Sequence, residues 1–235
     1  MCDVESYVYM PLIEEIGRMP SEKYSHSTEI YEHSRAIAEH YDLYRNSLLS
    51  TGVSRMEWSE EEAHWTIHTD RGDAFTASFA IINFGTFAHP KLPGVEGVDS
   101  FEGHMFHTSR WDYDYTGGSN TGGLTGLNDK RVAVIGTGAT AVQVVPHVAA
   151  DAKQLFVVQR TPSSIGVRNN APTDPEWVAS LEPGWQKERI VNFTSFTNNS
   201  IPTGDDLVND GWTDIMRNLQ QKWLKRRGEA FAEGG

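Results

Sequence analysis

The sequence predicts an α/β protein in two parts. Three observations carry this reading. The first half holds an amphipathic helix followed by three strand-like runs, an uncharged glycine-rich stretch occupies residues 116–126, and a strand–glycine turn–helix–strand unit follows directly. The 235 residues suffice for one large domain or two modest ones.

Taken in order, residues 1–27 carry the turn signals Pro11, Gly17, Pro20 and Ser21. Ser27 or Thr28 can cap a helix at residues 28–45, where Ile30, Ile37, Ala38, Tyr41 and Tyr44 share one face opposite Arg35 and Glu39. Strand-like runs follow at 48–58, 63–70 and 74–84. The middle run alternates Trp65 and Ile67 with Thr66 and His68, as a meander with one wet face does, and Arg71-Gly72 turns it into the next. The solid apolar run 79–82 predicts a strand buried on both faces, as in a parallel sheet. Five glycines without a charge at 116–126 read as a flexible connection, so two domains meet near residues 113–128. Beyond about residue 176 the chain turns polar. Trp212, Ile215, Met216, Leu219, Trp223 and Leu224 then keep helical spacing ahead of Lys225-Arg226-Arg227.

Composition narrows the function. Thirty-two acidic against 20 basic residues give a net charge of −12, the opposite of a nucleic-acid binder's footprint. The apolar runs fall far short of the ~18 residues of a membrane span, and Met-Cys-Asp-Val-Glu is not a signal peptide. A single cysteine, Cys2, excludes an internal disulfide and a multi-cysteine metal site. These features predict a soluble cytoplasmic protein with no metal and no nucleic-acid or membrane partner, its oligomeric state left open.

The chemistry lies in the second half. Residues 132–141 read Val-Ala-Val-Ile-Gly-Thr-Gly-Ala-Thr-Ala: strand, glycine turn, helix. Gly136 permits the tight turn, Gly138 lets the backbone approach a pyrophosphate, and Ala141 is small enough for close helix–strand packing. The amides opening the helix would meet the phosphates. The second strand, 155–159, ends in Gln159-Arg160-Thr161, where an NAD site places Asp or Glu. A guanidinium and a hydroxyl suit a 2′-phosphate, so NADPH is expected over NADH. On the residues alone, the turn also reads as purely structural and Arg160 as a solvated surface arginine.

Phe101, Gly103, His107, Thr108, Trp111 and Asp112 fit the pattern FxGxxxHTxxW followed by Asp or Pro. That string resembles the fingerprint of Baeyer–Villiger monooxygenases at every specified position. Residues 3–7 are similar to the end of the family's second fingerprint, and 134–141 with 159–162 resemble its NADPH domain. The resemblance implies a Rossmann-type flavoprotein with two dinucleotide-binding domains. It divides this chain into a partial FAD domain with a β-meander (1–112), a glycine-rich linker (113–128), an NADP unit (129–175) and a helical insertion (176–235). It also implies the reaction: NADPH reduces FAD, the reduced flavin activates O2, and one oxygen atom enters beside a ketone carbonyl to give an ester or lactone.

Position by position, the resemblance places Asp3 beside the nicotinamide, with Cys2 next to it. Tyr9 and Val53 line FAD, and Thr137, Gly138, Ala139, Thr140, Ala141, Val142, Gln143, Arg160 and Thr161 contact NADPH. His107 and Trp111 couple domain rotation to catalysis. Asp3 also reads as a solvated terminal charge, Tyr9 and Val53 as ordinary core, and His107 as a residue that satisfies buried backbone groups. The chain departs from the family in having no glycine fingerprint near Met1 and no match to the later Lys-Arg motif carrying the catalytic arginine. A truncated enzyme is therefore expected. The alternatives are an N-hydroxylating or flavin-containing monooxygenase, which usually has His-Ser and a tyrosine in the fingerprint, and a non-catalytic NADP-binding fragment.

Overall fold

The computed structural model describes residues 3–85, 89–163, 165–198, 204–219 and 221–222. Cys2 and residues 223–227 lie outside that set. The N-terminal stretch forms two one-turn helices, α1 (Ser6–Tyr9) and α2 (Ile13–Ile16), before the longer α3 (Ser27–His40). Helix α3 ends five residues earlier than its periodicity suggests. Asp42 takes a left-handed φ of 50° ahead of a 3-10 turn at Leu43–Asn46. Its N-cap is His26, with no side-chain cap bond, so Ser27 is the first helical residue rather than the cap.

Strands β1 (Val53–Ser59), β2 (His64–Thr69) and β3 (Ala74–Ala77) form the expected antiparallel meander, in that order. Ile67 on β2 is buried, and Trp65 packs on Trp58 across the pair at 5.5 Å between ring centroids. The predicted strand through 79–82 is absent: Phe79 is 89% and Ile81 96% exposed on irregular backbone. A strand buried on both faces needs sheet neighbours and covering helices, and no strand among the described residues pairs with this run.

Helix α4 (Tyr113–Thr116) opens the second half. The glycine-rich stretch after it is an ordered knot rather than a loose tether. Ser119 and Gly122 exchange backbone hydrogen bonds at 2.9 and 3.1 Å, and Leu124 donates its N–H to Asp151 at 2.7 Å. A Cβ on Gly118 would strike the carbonyl oxygens of Gly122 and Gly123, so its glycine is a packing requirement. Strands β4 (Arg131–Ile135) and β5 (Gln154–Val158) pair in parallel around α5 (Ala139–Asp151). Leu124, Leu127 and Val148 form the core beneath them, with Val132, Val144, Leu155 and Trp111 packed against it.

Helices α6 (Pro175–Ala179) and α7 (Trp185–Thr197) follow, and residues 211–219 are also helical. Asp174 caps α6 by accepting from the Glu176 N–H at 2.9 Å, with Pro175 in the first turn. The C-terminal part returns to the N-terminus. Lys23 donates its N–H to the Ala171 carbonyl at 2.9 Å and Thr173 to Ser21 at 2.8 Å, so a short extended pairing joins 21–23 to 171–173.

Gly118 has a φ of 73° as well as the carbonyl clash. Gly118→Ala should cost about 1–3 kcal/mol and lower Tm by roughly 2–4 °C per kcal/mol. Gly138→Ala should leave Tm within a degree or two of wild type by about the same scale, because nothing lies within 4 Å of the added Cβ. Differential scanning calorimetry checks both, and equal Tm values for the two variants would contradict the knot.

Candidate functional site

The turn between β4 and α5 is built for close approach. Gly136 holds a φ of 111° and donates its N–H to the Val158 carbonyl at 2.9 Å, tying the turn to the end of β5. Gly138 is the N-cap of α5, makes no side-chain cap bond, and the first turn of the helix carries no acidic residue. Its opening amides therefore lack the usual side-chain acceptor. A Cβ at Gly136 or Gly138 would enter open space. Ala141, buried to 9% exposure, meets the close-packing requirement.

Gly136, Thr137, Gly138, Ala139, Thr140, Ala141, Val142 and Gln143 thus share one turn and the helix start, and Arg160 and Thr161 follow the adjacent strand. Thr137 Oγ1 lies 3.5 Å from the Thr161 carbonyl oxygen and 3.2 Å from Ser163 Oγ, so the loop after β5 folds against the glycine turn. Ser163 was not singled out by sequence reasoning. Only its place five residues beyond the second strand's apolar run could have suggested it. Arg160 is exposed, and no ion pair joins it to a carboxylate among the described residues.

The fingerprint loop forms a second cluster. His107 Nδ1 accepts from the Ser109 N–H at 3.2 Å and lies 2.8 Å from Ser109 Oγ, capping the 3-10 turn Thr108–Arg110. A backbone donor makes Nδ1 the acceptor, so the neutral ring carries its proton on Nε2. Trp111 donates Nε1–H to Thr116 Oγ1 at 3.0 Å, meets Phe106 edge-on at 5.2 Å, and packs on the Leu124–Leu127–Val148 core. His104, another residue that sequence reasoning passed over, stacks on Tyr115 at 3.9 Å and pairs with Asp112 at 2.9 Å. An open groove of about 580 Å³ runs along His104, Phe106, Arg110, Trp111 and Asp112.

Asp3, Tyr9 and Val53 stand apart. All three are exposed, and among the described residues no hydrogen bond or ion pair joins any of them to the glycine turn. Tyr9 at 54% and Val53 at 58% exposure are not core residues.

The strongest electrostatic feature of the N-terminal stretch escaped sequence reasoning. Glu5 is fully buried, with both carboxylate oxygens engaged by Arg189 of α7 and Lys23 Nζ 4.0 Å away. Burial pushes its carboxyl up, against the pull of Arg189 and Lys23. One glutamate in an acidic terminus gives no sequence signal of burial.

A parallel strand pair closed by an open glycine turn defines an α/β unit of the dinucleotide-binding type. Residues 5–177 match the flavin-binding monooxygenase-like family, and the chain belongs to it. It is 55% identical over 218 residues to neopentalenolactone D synthase of Streptomyces avermitilis, covering 93% of this chain and 36% of that protein. It is 56% identical over 216 residues to a Baeyer–Villiger monooxygenase of Stachybotrys chlorohalonatus, covering 92% and 34%. Among solved structures, the polycyclic ketone monooxygenase of Thermothelomyces thermophila superposes with a TM-score of 0.81 at 41% identity, covering 90% of this chain and 36% of that one. Steroid monooxygenase bound to NADP gives 0.67 at 34% identity, covering 83% and 36%. The chain therefore spans about a third of the length of the relatives it matches. The resemblance drawn from the fingerprint is borne out. No described helix is long and apolar enough to cross a membrane.

The Tyr115 N–H first, and the His104 ring second, hold the Asp112 carboxyl below the usual carboxylate range. A depressed carboxyl stabilises the loop above its unfolded pKa, and that contribution is lost as pH falls through the depressed value. The NMR signal of the Trp111 indole N–H should therefore show an acid transition below about pH 4. Asp112→Asn should remove that acid limb.

Proposed function

We propose that this chain is the NADPH-handling portion of an FAD- and NADPH-dependent Baeyer–Villiger monooxygenase, a class that inserts one atom of O2 beside a ketone carbonyl. One observation carries the reading: the fingerprint loop is seated, through Trp111, on the core of the glycine-turn unit. The names of the relatives agree with it. Residues 1–112 are read as part of the FAD domain, 113–128 as the linker, 129–175 as the NADP unit and 176–235 as the helical insertion.

The residues present fit NADPH. The open cradle at Gly136 and Gly138 and the uncapped start of α5 suit the pyrophosphate, and exposed Arg160 with Thr161 suits the 2′-phosphate. Gln143, one helical turn from Ala139, completes that wall. When bound, NADPH supplies a hydride to a flavin. Asp3 is assigned to the nicotinamide side, where a carboxylate favours the cationic, oxidised ring. His107 and Trp111 carry no proton to the reacting carbon. They anchor the loop, so rotation of the glycine-turn unit moves it as one piece. For FAD the chain offers the exposed side chains of Tyr9 and Val53 and no second glycine turn. The fit to FAD is therefore partial, and for these 235 residues alone the supported activity is NADPH binding. A cytoplasmic location and a ketone substrate belong to the same proposal.

Arg160→Ala should weaken NADPH far more than NADH, because only NADPH has the 2′-phosphate. A lost charge-assisted bond costs about 1.5–3 kcal/mol, roughly tenfold or more in affinity. Gly138→Ala should weaken both cofactors alike. Isothermal titration showing equal losses for both cofactors in Arg160→Ala would sink the assignment.

The purified 235-residue chain should elute without a stoichiometric flavin spectrum, since helix N-terminal amides supply much of the grip on a pyrophosphate. A yellow preparation with one FAD per chain would contradict this.

A further inference from the structure

We infer that Glu5, clamped by Arg189, is a positioning residue for Asp3; this rests on the reading of Asp3 as the nicotinamide's neighbour. Among the described residues, Glu5 is the first of the N-terminal stretch whose side chain is held by hydrogen bonds. Arg189 donates from Nε and from Nη2, the latter at 3.0 Å, to the two carboxylate oxygens, a bidentate fork that fixes orientation as well as distance. The guanidinium lies over the rings of Tyr7 at 5.7 Å and Trp177 at 5.2 Å, and those rings pack on each other at 4.6 Å. One turn earlier, Gln186 accepts from the Ile13 N–H at 2.8 Å and donates to the Tyr7 and Met10 carbonyls at 3.2 and 2.7 Å. Glu14 in turn accepts from the N–H groups of Gly184 and Gln186 at 2.8 and 2.9 Å, capping α7.

Asp3 has no hydrogen bond or ion pair of its own among the described residues. Its place is therefore set by the backbone at Glu5, from which two residues of chain reach at most about 7 Å. Arg189 belongs to α7, beyond the glycine-turn unit in sequence. Asp3 is thus presented by the C-terminal helices and moves with them. A buried ion pair is a poor source of stability, and well-packed apolar residues often do as well. What the fork adds is direction.

The test uses the oxidised and reduced cofactors as charge probes. A correctly placed Asp3 carboxylate prefers NADP+, whose nicotinamide is cationic, to NADPH, whose ring is neutral. The probes are NADP+, NADPH and 2′,5′-ADP, which lacks the nicotinamide, each titrated into the 235-residue chain by calorimetry. Asp3→Asn should cut the NADP+ over NADPH preference by about three- to tenfold, as expected for a close, partly screened charge pair. Glu5→Gln and Arg189→Lys should each cut it similarly while leaving 2′,5′-ADP affinity within about twofold. If Glu5→Gln does not fold, Arg189→Lys carries the test, because it keeps the charge and loses the fork. An unchanged preference in Asp3→Asn overturns the Asp3 reading and this inference with it. A shift in Asp3→Asn without one in the Glu5 and Arg189 variants overturns the positioning role alone. A merely structural pair would lower Tm and 2′,5′-ADP affinity together and leave the preference unmoved.

Discussion

The burial of Glu5 is the constraint on which the N-terminal third depends. A carboxylate taken out of water is tolerated only with a well-aligned cation and its remaining oxygens satisfied, and the Arg189 fork meets both conditions. Helices α1 and α2 are four residues each, far too short to persist on their own. They exist because Gln186 and Glu14 interlock their backbones with the start of α7. Tyr7, Met10 and Ile13 on this stretch are buried, as is Phe196 on α7. The N-terminal stretch and α7 are therefore joined, although 184 residues separate Glu5 from the arginine that holds it.

That joint explains which parts of the fold were legible from sequence. The meander and the glycine-turn unit have local periods: two along β2, 3.6 along α3 and α5, and a fixed glycine spacing between β4 and α5. Local patterns survive being read one window at a time. Glu5, Gln186 and Arg189 form a pattern only across the whole chain, and as single polar residues they look like solvated surface. The glycine stretch failed for a related reason. Glycine marks both a free tether and a place where backbones touch, and only the carbonyls of Gly122 and Gly123 against Gly118 decide between them.

The run at 79–82 failed in the opposite direction. Its composition is that of a central parallel strand, yet a strand is a property of its neighbours. With Phe79, Ile81 and Phe84 at 89, 96 and 79% exposure, the run keeps the sequence of a buried element and has none of its contacts. Val157 and Val158 on β5 follow the same logic: they point to opposite faces of a two-stranded sheet, and both are exposed.

The part of the candidate site legible in sequence is the part built from backbone. A phosphate cradle needs amides and the absence of side chains, so glycine spacing reports it directly. The fingerprint loop was legible only as a string, and the reason for its residues emerges from contacts. Trp111 buries an aromatic face on Leu124, Leu127 and Val148 while its N–H reaches Thr116. His107 closes the 3-10 turn that aims it, and Asp112 starts α4 immediately after. A tryptophan in that position is both wedge and tether. The ordered glycine knot holds the other side of the same core through the Leu124 N–H and Asp151. The fingerprint loop and the glycine knot thus meet on one core, the loop through Trp111 and the knot through Leu124. The fingerprint's tryptophan thus joins the loop to the core of the unit, and its histidine closes the turn that precedes it.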